Sequence, residues 1–429
     1  MDGWCIRWGG GTCRRLLAKG LSTPDNRLME FGGDQTSASA VSLPRAVSRD
    51  VKFMSIAFLL TFVAYDGVQQ YVITFFNGAG RSNVGFVSLI LVYASSAVAS
   101  PLAAAAVSRF GAKPAMLASL PFYSLFILSL GTKSTAIIWA ASIALGIAGG
   151  GLWNGQNTYL VRAAHEDALG TNAGYFSVLK AVGSGAGVVV VGFAVVRTSY
   201  VATFVAAALL PVLACLCVAR MSDIRAEHRH NRLRHALSAL RSVTAWRLSA
   251  LWFCTSLVFG LVLSAIPVVI QGTLGLAFVG VLTSCFYIVP ILTSYATGNQ
   301  SDIRGRRALL LGACAAGTVG LIALNLPYTA VTVVGGVLLL TVCNAMLTPI
   351  TTALVGDVAT PVNLESLVSL FRMMQCIGTV AGLVMAGIVH GSTIFAVSLV
   401  GLAICFAVSL PVLRRDLPDI RRGIAAEIG

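Results

Sequence analysis

Charge is what this chain lacks most. Only 11% of its 429 residues are Asp, Glu, Lys or Arg, against roughly 25% in a soluble domain. Acids are the rarer sign, 16 against 30 Lys and Arg. With 57% hydrophobic residues and a mean hydropathy of +0.84, this excludes an ordinary soluble domain. Catalytic and metal-binding spacings are lacking as well. The ten cysteines are scattered, mostly inside apolar runs, and Cys215 and Cys217 sit two apart on one helix, where they cannot easily bridge. His390 stands alone at an outer loop and reads as structural. There is no His-Glu-x-x-His, no Gly-x-Ser-x-Gly and no Walker loop. No catalytic residue, metal or cofactor is therefore expected, and transport, if any, must run on a gradient. No loop resembles a selectivity filter, which disfavours a channel. Strands of a membrane barrel alternate over about 10 residues, and the apolar runs here are continuous.

Those runs are what is present. A spanning helix needs about 20 apolar residues. Val51 to Leu413 accommodates twelve, at about 51–76, 84–107, 114–131, 134–160, 172–196 and 199–219, then 246–271, 276–298, 307–325, 328–354, 365–389 and 392–413. The expected organisation is an all-α membrane protein. A disordered tail (1–50) precedes a six-helix bundle (51–219), a basic linker (220–245), a second bundle (246–413) and a charged tail (414–429). Arg7, Arg14, Arg15 and Lys19 have the charge of a presequence, but Asp2, Asp25, Glu30 and Asp34 argue against one. Of the 30 Lys and Arg, 25 fall on the side of the two tails and the linker, 3 on the other side, and 2 inside helices. The positive-inside rule then makes both termini cytosolic. The formal net charge of +14 is a topology signal, so a lipid bilayer is the expected partner and nucleic acid is not. Which membrane holds the chain is not encoded in these features.

One polar stretch interrupts the pattern, Gly298-Asn299-Gln300-Ser301-Asp302-Ile303-Arg304-Gly305-Arg306-Arg307. A fainter copy, with Ser108, Arg109, Gly111 and Lys113, lies 194 residues earlier, which suggests a duplicated bundle. The stretch resembles the loop signature of the major facilitator superfamily, Gly-x-x-x-Asp-x-x-Gly-Arg-Arg. That resemblance implies twelve helices in two pseudo-symmetric six-helix bundles, with Arg109, Gly111, Lys113, Gly298, Asp302, Arg304, Gly305, Arg306 and Arg307 pinning the bundles together at the cytosol. A second segment, Gly146 to Tyr159 with Trp153 and Gln156, is similar to the Gly-rich helix 4 of the uncoordinated-ninety-three-like branch, as is Gly67-Val-Gln69-Gln70-Tyr71 in helix 1. Members of that branch look like transporters or like regulators of other membrane proteins.

Ionisable groups inside a membrane cost about 2.5–3.5 kcal/mol each on insertion scales. Three occur: Asp66, Lys180 and Arg372. The two cations are 192 residues apart, near the repeat offset. Counting rise per residue puts them roughly 12 Å deep and Asp66 roughly 22 Å deep, so no direct Asp66–Lys180 bridge is expected. Polar stripes run beside them: Asp66, Gln69 and Gln70; Trp153, Gln156 and Asn157 with Asn154; Asn344 with Thr348, Thr351 and Thr352; Arg372 and Gln375. These are the candidate binding residues for a solute or coupling ion, against the plainer role of interhelical glue. The function expected is alternating-access transport of a small organic solute, anionic if Lys180 and Arg372 bind it and proton-coupled if Asp66 titrates. The alternative is a transporter-shaped protein that regulates or traffics another membrane protein.

Overall fold

The computed structural model describes residues 47–132, 134–163, 169–224, 238–304, 306–358, 364–389, 391–414 and 417–428. The expected N-terminal tail and most of the basic linker lie outside them. Among the described residues all regular structure is helical, and twelve helical spans are long and apolar enough to cross a membrane. The first six are α1 (Arg49–Gly78), α2 (Ser82–Phe110), α3 (Ala112–Leu130), α4 (Thr135–Ala163), α5 (Leu169–Arg197) and the pair α6 (Tyr200–Ala207) and α7 (Leu209–Ala219). The second six are the pair α8 (Val243–Leu263) and α9 (Ala265–Leu274), then α10 (Leu276–Arg304), α11 (Arg306–Asn325), α12 (Ala330–Val358), α13 (Leu364–Ile388) and α14 (Thr393–Leu413). A short helix, α15 (Leu417–Ile428), follows. The halves meet where α5 packs on α10 and α2 on α13.

The duplication is visible in how each half is held. In the first half, Gly183 and Gly187 of α5 lie on the backbone of Leu59 and Val63 in α1; an added Cβ would stand 2.6 and 2.3 Å from their carbonyl oxygens. In the second half, Gly378 and Gly382 of α13 lie on Phe253 and Leu257 of α8, at 2.4 and 2.7 Å. In lipid, close approach of this kind replaces the hydrophobic drive as the source of packing energy. Replacing Gly187 or Gly382 by Val is expected to lower the unfolding midpoint of the detergent-purified protein by about 5–10 °C, as overpacking does. Gly272→Ala, which meets nothing within 4 Å, should leave it unchanged.

The polar repeat takes a different form from the one expected. It is not a ten-residue loop. α2 continues to Phe110 and α3 starts at Ala112, so Gly111 alone turns the chain, at φ +98°, where a Cβ is strained. Its later copy is likewise helical through Arg304. Lys113 Nζ donates to the carbonyls of Ala219 (2.9 Å) and Met221, while Arg307 Nε donates to the carbonyl of Leu413. Both donor and acceptor are shifted by 194 residues. The cations cap the last carbonyls of the sixth span in each half, where the helix dipole favours positive charge. These bonds lie within one half and do not cross between halves. Arg109 is exposed and lies against Phe110. The side chains of Gly298, Asp302, Arg304, Gly305 and Arg306 fall outside the description, and so does the latch expected of them.

The charged C-terminal tail is a docked helix. α15 buries Ile420 and Ile424. Its Glu427 carboxylate accepts from the Thr244 N–H (3.0 Å), the Thr244 hydroxyl (2.8 Å) and the Ser242 hydroxyl. Ser242 caps α8, so Glu427 adds its charge to the positive end of that helix.

Candidate functional site

A cavity of about 320 Å³ lies between the halves. Helical periodicity decides what faces it. α1 presents Phe62, Tyr65 and Asp66 at i, i+3 and i+4. α13 presents Arg372, Gln375, Cys376 and Thr379 at i, i+3, i+4 and i+7. α4 presents Gly146, Gly149 and Trp153, α5 presents Lys180, and α12 presents Asn344 and Thr348. All three intramembrane ionisable residues therefore share one chamber.

Asp66 and Lys180 form an ion pair, Nζ to Oδ2, at 3.4 Å. This corrects the depth argument, which compared backbone positions only. Helical side chains lean toward the N-terminus of their helix, which carries the Asp66 carboxylate back toward Lys180, and the flexible four-carbon lysine stem reaches up against the same lean of its own helix to meet it. Asp66 is buried, with its side chain 5% exposed, and Lys180 is more open at 23%. The ammonium also lies near the rings of Phe62 (4.8 Å), Tyr287 (5.5 Å) and Trp153 (5.9 Å).

Arg372 is held differently. Its guanidinium lies 5.0 Å from the centre of the Trp153 ring, and its Nη1 donates to Gln375 Oε1 at 3.3 Å. Among the described residues it has no acidic partner. One indole thus holds two cations, and they stand no further apart than the sum of their distances to that ring. Charges along the chamber are one acid and two bases, so it carries an excess positive charge.

Trp153, Arg372 and Gln375 also line a second cavity of about 350 Å³, shared with Asn154, Asn157, Trp252 and Phe371. This one lies toward the face that carries Ser48 and α15. The trio is the partition between the two chambers, and Trp153 (first half) meets Arg372 (second half) across it. On the opposite side, Gln69 and Gln70 occupy the layer between the central cavity and a vestibule of about 840 Å³ lined by Ile73, Asn77, Ser264 and Tyr328. Gln69 accepts from the Tyr93 hydroxyl at 3.0 Å, and Gln70 Nε2 donates to the Val262 carbonyl at 2.6 Å. The span containing α8 and α9 breaks at Ser264, and carbonyls at a helix end need such partners. The Gln70 bond crosses between the halves. Gln70→Leu is expected to raise the accessibility of a cysteine placed at Ile73 to a water-soluble maleimide severalfold, since the crossing bond is lost.

Of the candidate residues, Asp66, Trp153, Lys180, Asn344, Arg372 and Gln375 line the central cavity. Gln69 and Gln70 do not: they are committed to neighbours above it. Asn154 and Asn157 face the second cavity, and Gln156 is buried and lines neither. Tyr65, Tyr93, Tyr123 and Tyr287 line the chamber and were not anticipated. Their signal was present, since four of the chain's ten tyrosines sit mid-span, but aromatic residues in a span look like packing.

A model of the Major Facilitator Superfamily matches residues 51–278 and 248–427. The chain belongs to the Major Facilitator Superfamily. Within it, the chain is 33% identical over 124 residues to UNC93-like protein 3 of Arabidopsis thaliana, a match covering 29% of this chain and 26% of that protein. It is 26% identical over 130 residues to UNC93-like protein MFSD11 of Xenopus tropicalis, covering 30% and 29% respectively. The aligned part is therefore under a third of these relatives' length. Among solved structures, the nucleoside transporter NupG superposes with a TM-score of 0.64 at 12% identity, over 85% of this chain and 100% of NupG. That likeness is one of fold. It agrees with two six-helix halves around a central chamber, the architecture of a membrane transporter of this superfamily.

Proposed function

We propose that this superfamily member carries a small organic anion across the membrane by alternating access, together with a proton taken up by Asp66. The observation that carries the reading is Arg372, a cation facing a membrane-embedded chamber with no acidic partner among the described residues. Arg372 is half-buried, and a charge taken partly out of water is stabilised by a counter-charge, which a bound anion supplies. Lys180 is the conditional second cation. While Asp66 is ionised it holds Lys180; when Asp66 takes a proton, the ammonium is released to the solute. Lys180 is the charged group paired with Asp66, and Tyr65, Tyr93, Tyr123, Tyr287 and Arg372 line the same chamber. The partition at Trp153–Arg372 and the layer at Gln70–Val262 are the two places where the path must open in turn, with the basic face toward the cytosol.

The alternative, a transporter-shaped protein that regulates another membrane protein, draws on the formed Asp66–Lys180 pair, which a purely structural role also explains. Uptake of a radiolabelled organic-acid panel into proteoliposomes under an imposed pH gradient separates the two. Uptake driven by the gradient in wild type and lost in Asp66→Asn supports transport. Unchanged uptake in the variant removes the proton role, and no uptake of any acid favours the regulator.

A further inference from the structure

The substrate class of this site follows from what surrounds the cations, and the argument rests on the anion reading above. Seven of the twenty-two residues lining the chamber are aromatic, while only Val92 and Leu145 are branched aliphatic. Across the whole chain aromatic residues are 8%. The apolar part of this wall is thus made of rings, and both halves contribute: Phe62, Tyr65 and Tyr123 from the first, Phe259 and Tyr287 from the second.

The rings are arranged edge to face. Tyr65 and Tyr123 lie 5.1 Å apart at 84°, and Phe259 and Tyr287 lie 6.5 Å apart at 88°. A further flat ring joins such a herringbone through its own face and edges, which a puckered saturated ring does not do. One more feature bears on the width of the chamber. Gly149 lines it. A Cβ there would meet Tyr123 and Ser96 only at 3.6 and 4.0 Å, so packing does not demand glycine, and its absence of side chain leaves width in the chamber.

We propose that the solute is a flat aromatic acid, a ring bearing a carboxylate, with the carboxylate on Arg372 and the ring among Tyr65, Tyr123 and Tyr287. A chamber of about 320 Å³ is at the small end for ligand sites, which suits one or two fused rings.

The experiment uses the full chain in detergent and in proteoliposomes, with matched probes: benzoate against cyclohexanecarboxylate, 1-naphthoate against its decahydro counterpart, and benzamide as the uncharged ring. At least one aromatic acid is expected to bind at least tenfold more tightly than its saturated partner and to be taken up. Gly149→Ala should weaken that binding about fivefold with an unchanged unfolding midpoint. Equal binding of the aromatic and saturated acids overturns the aromatic assignment and leaves the anion reading standing. Equal binding of benzamide and benzoate overturns the anion reading, and the aromatic-acid assignment with it. Failure of every probe to bind overturns both.

Discussion

Arg372→Gln is expected to lower the apparent affinity for a transported organic anion by about 10- to 100-fold while leaving the unfolding midpoint nearly unchanged. The first half of that expectation is the loss of a charge-assisted hydrogen bond, about 1.5–3 kcal/mol. The second half is particular to this site. Removing one member of a buried ion pair strands the other, but Arg372 has only the neutral Gln375 amide and the Trp153 ring as partners. Nothing charged is left behind. Arg372→Lys is expected to recover little, because an ammonium keeps the charge but loses the planar fork that grips a carboxylate and lies over the indole. Concentration-dependent uptake in proteoliposomes, alongside thermal unfolding of the same preparations, measures both halves. A large drop in stability with affinity intact would make Arg372 a structural residue and remove the anion reading.

The distribution of what could be foreseen has a physical basis. Bilayer thickness fixes the length of each apolar run, and the asymmetry of Lys and Arg follows the membrane rather than the fold. Both are therefore written linearly along the chain. The 194-residue repeat was legible for the same reason, and the matched caps at Lys113 and Arg307 extend it to individual hydrogen bonds. Neighbour relations are not linear. A polar stripe identifies a helix face but not what that face meets. On α4 the cavity takes Gly146, Gly149 and Trp153, leaving Gln156 and Asn157 elsewhere. On α1 the stripe divides: Asp66 enters the chamber, while Gln70 finds a carbonyl 192 residues away, exposed by a helix break that hydropathy does not register. Both cations line the chamber. That they share Trp153, and that one of them reaches Asp66, depends on side-chain reach and not on depth along a helix.

Lys180→Met is expected to behave in the opposite way to Arg372→Gln. Asp66 is buried and its acid–base partner is Lys180; removing the ammonium leaves a carboxylate without compensation, a change that costs about 3–5 kcal/mol for a buried pair. The unfolding midpoint should fall clearly below wild type at neutral pH. Asp66→Asn with Lys180→Met takes away both charges and should restore most of the midpoint. The coupling between the two substitutions is then strongly non-additive, as contact pairs are. This double variant also separates the two functions open to the chain. If the pair is only a staple, as in a regulator that moves nothing, the restored protein keeps whatever activity the wild type has. In the transport mechanism, the proton acts by releasing Lys180. The double variant then folds, still binds an anion at Arg372, and can no longer accumulate it against a gradient when the external pH is lowered. Accumulation in that variant equal to wild type would show that protons enter elsewhere or not at all.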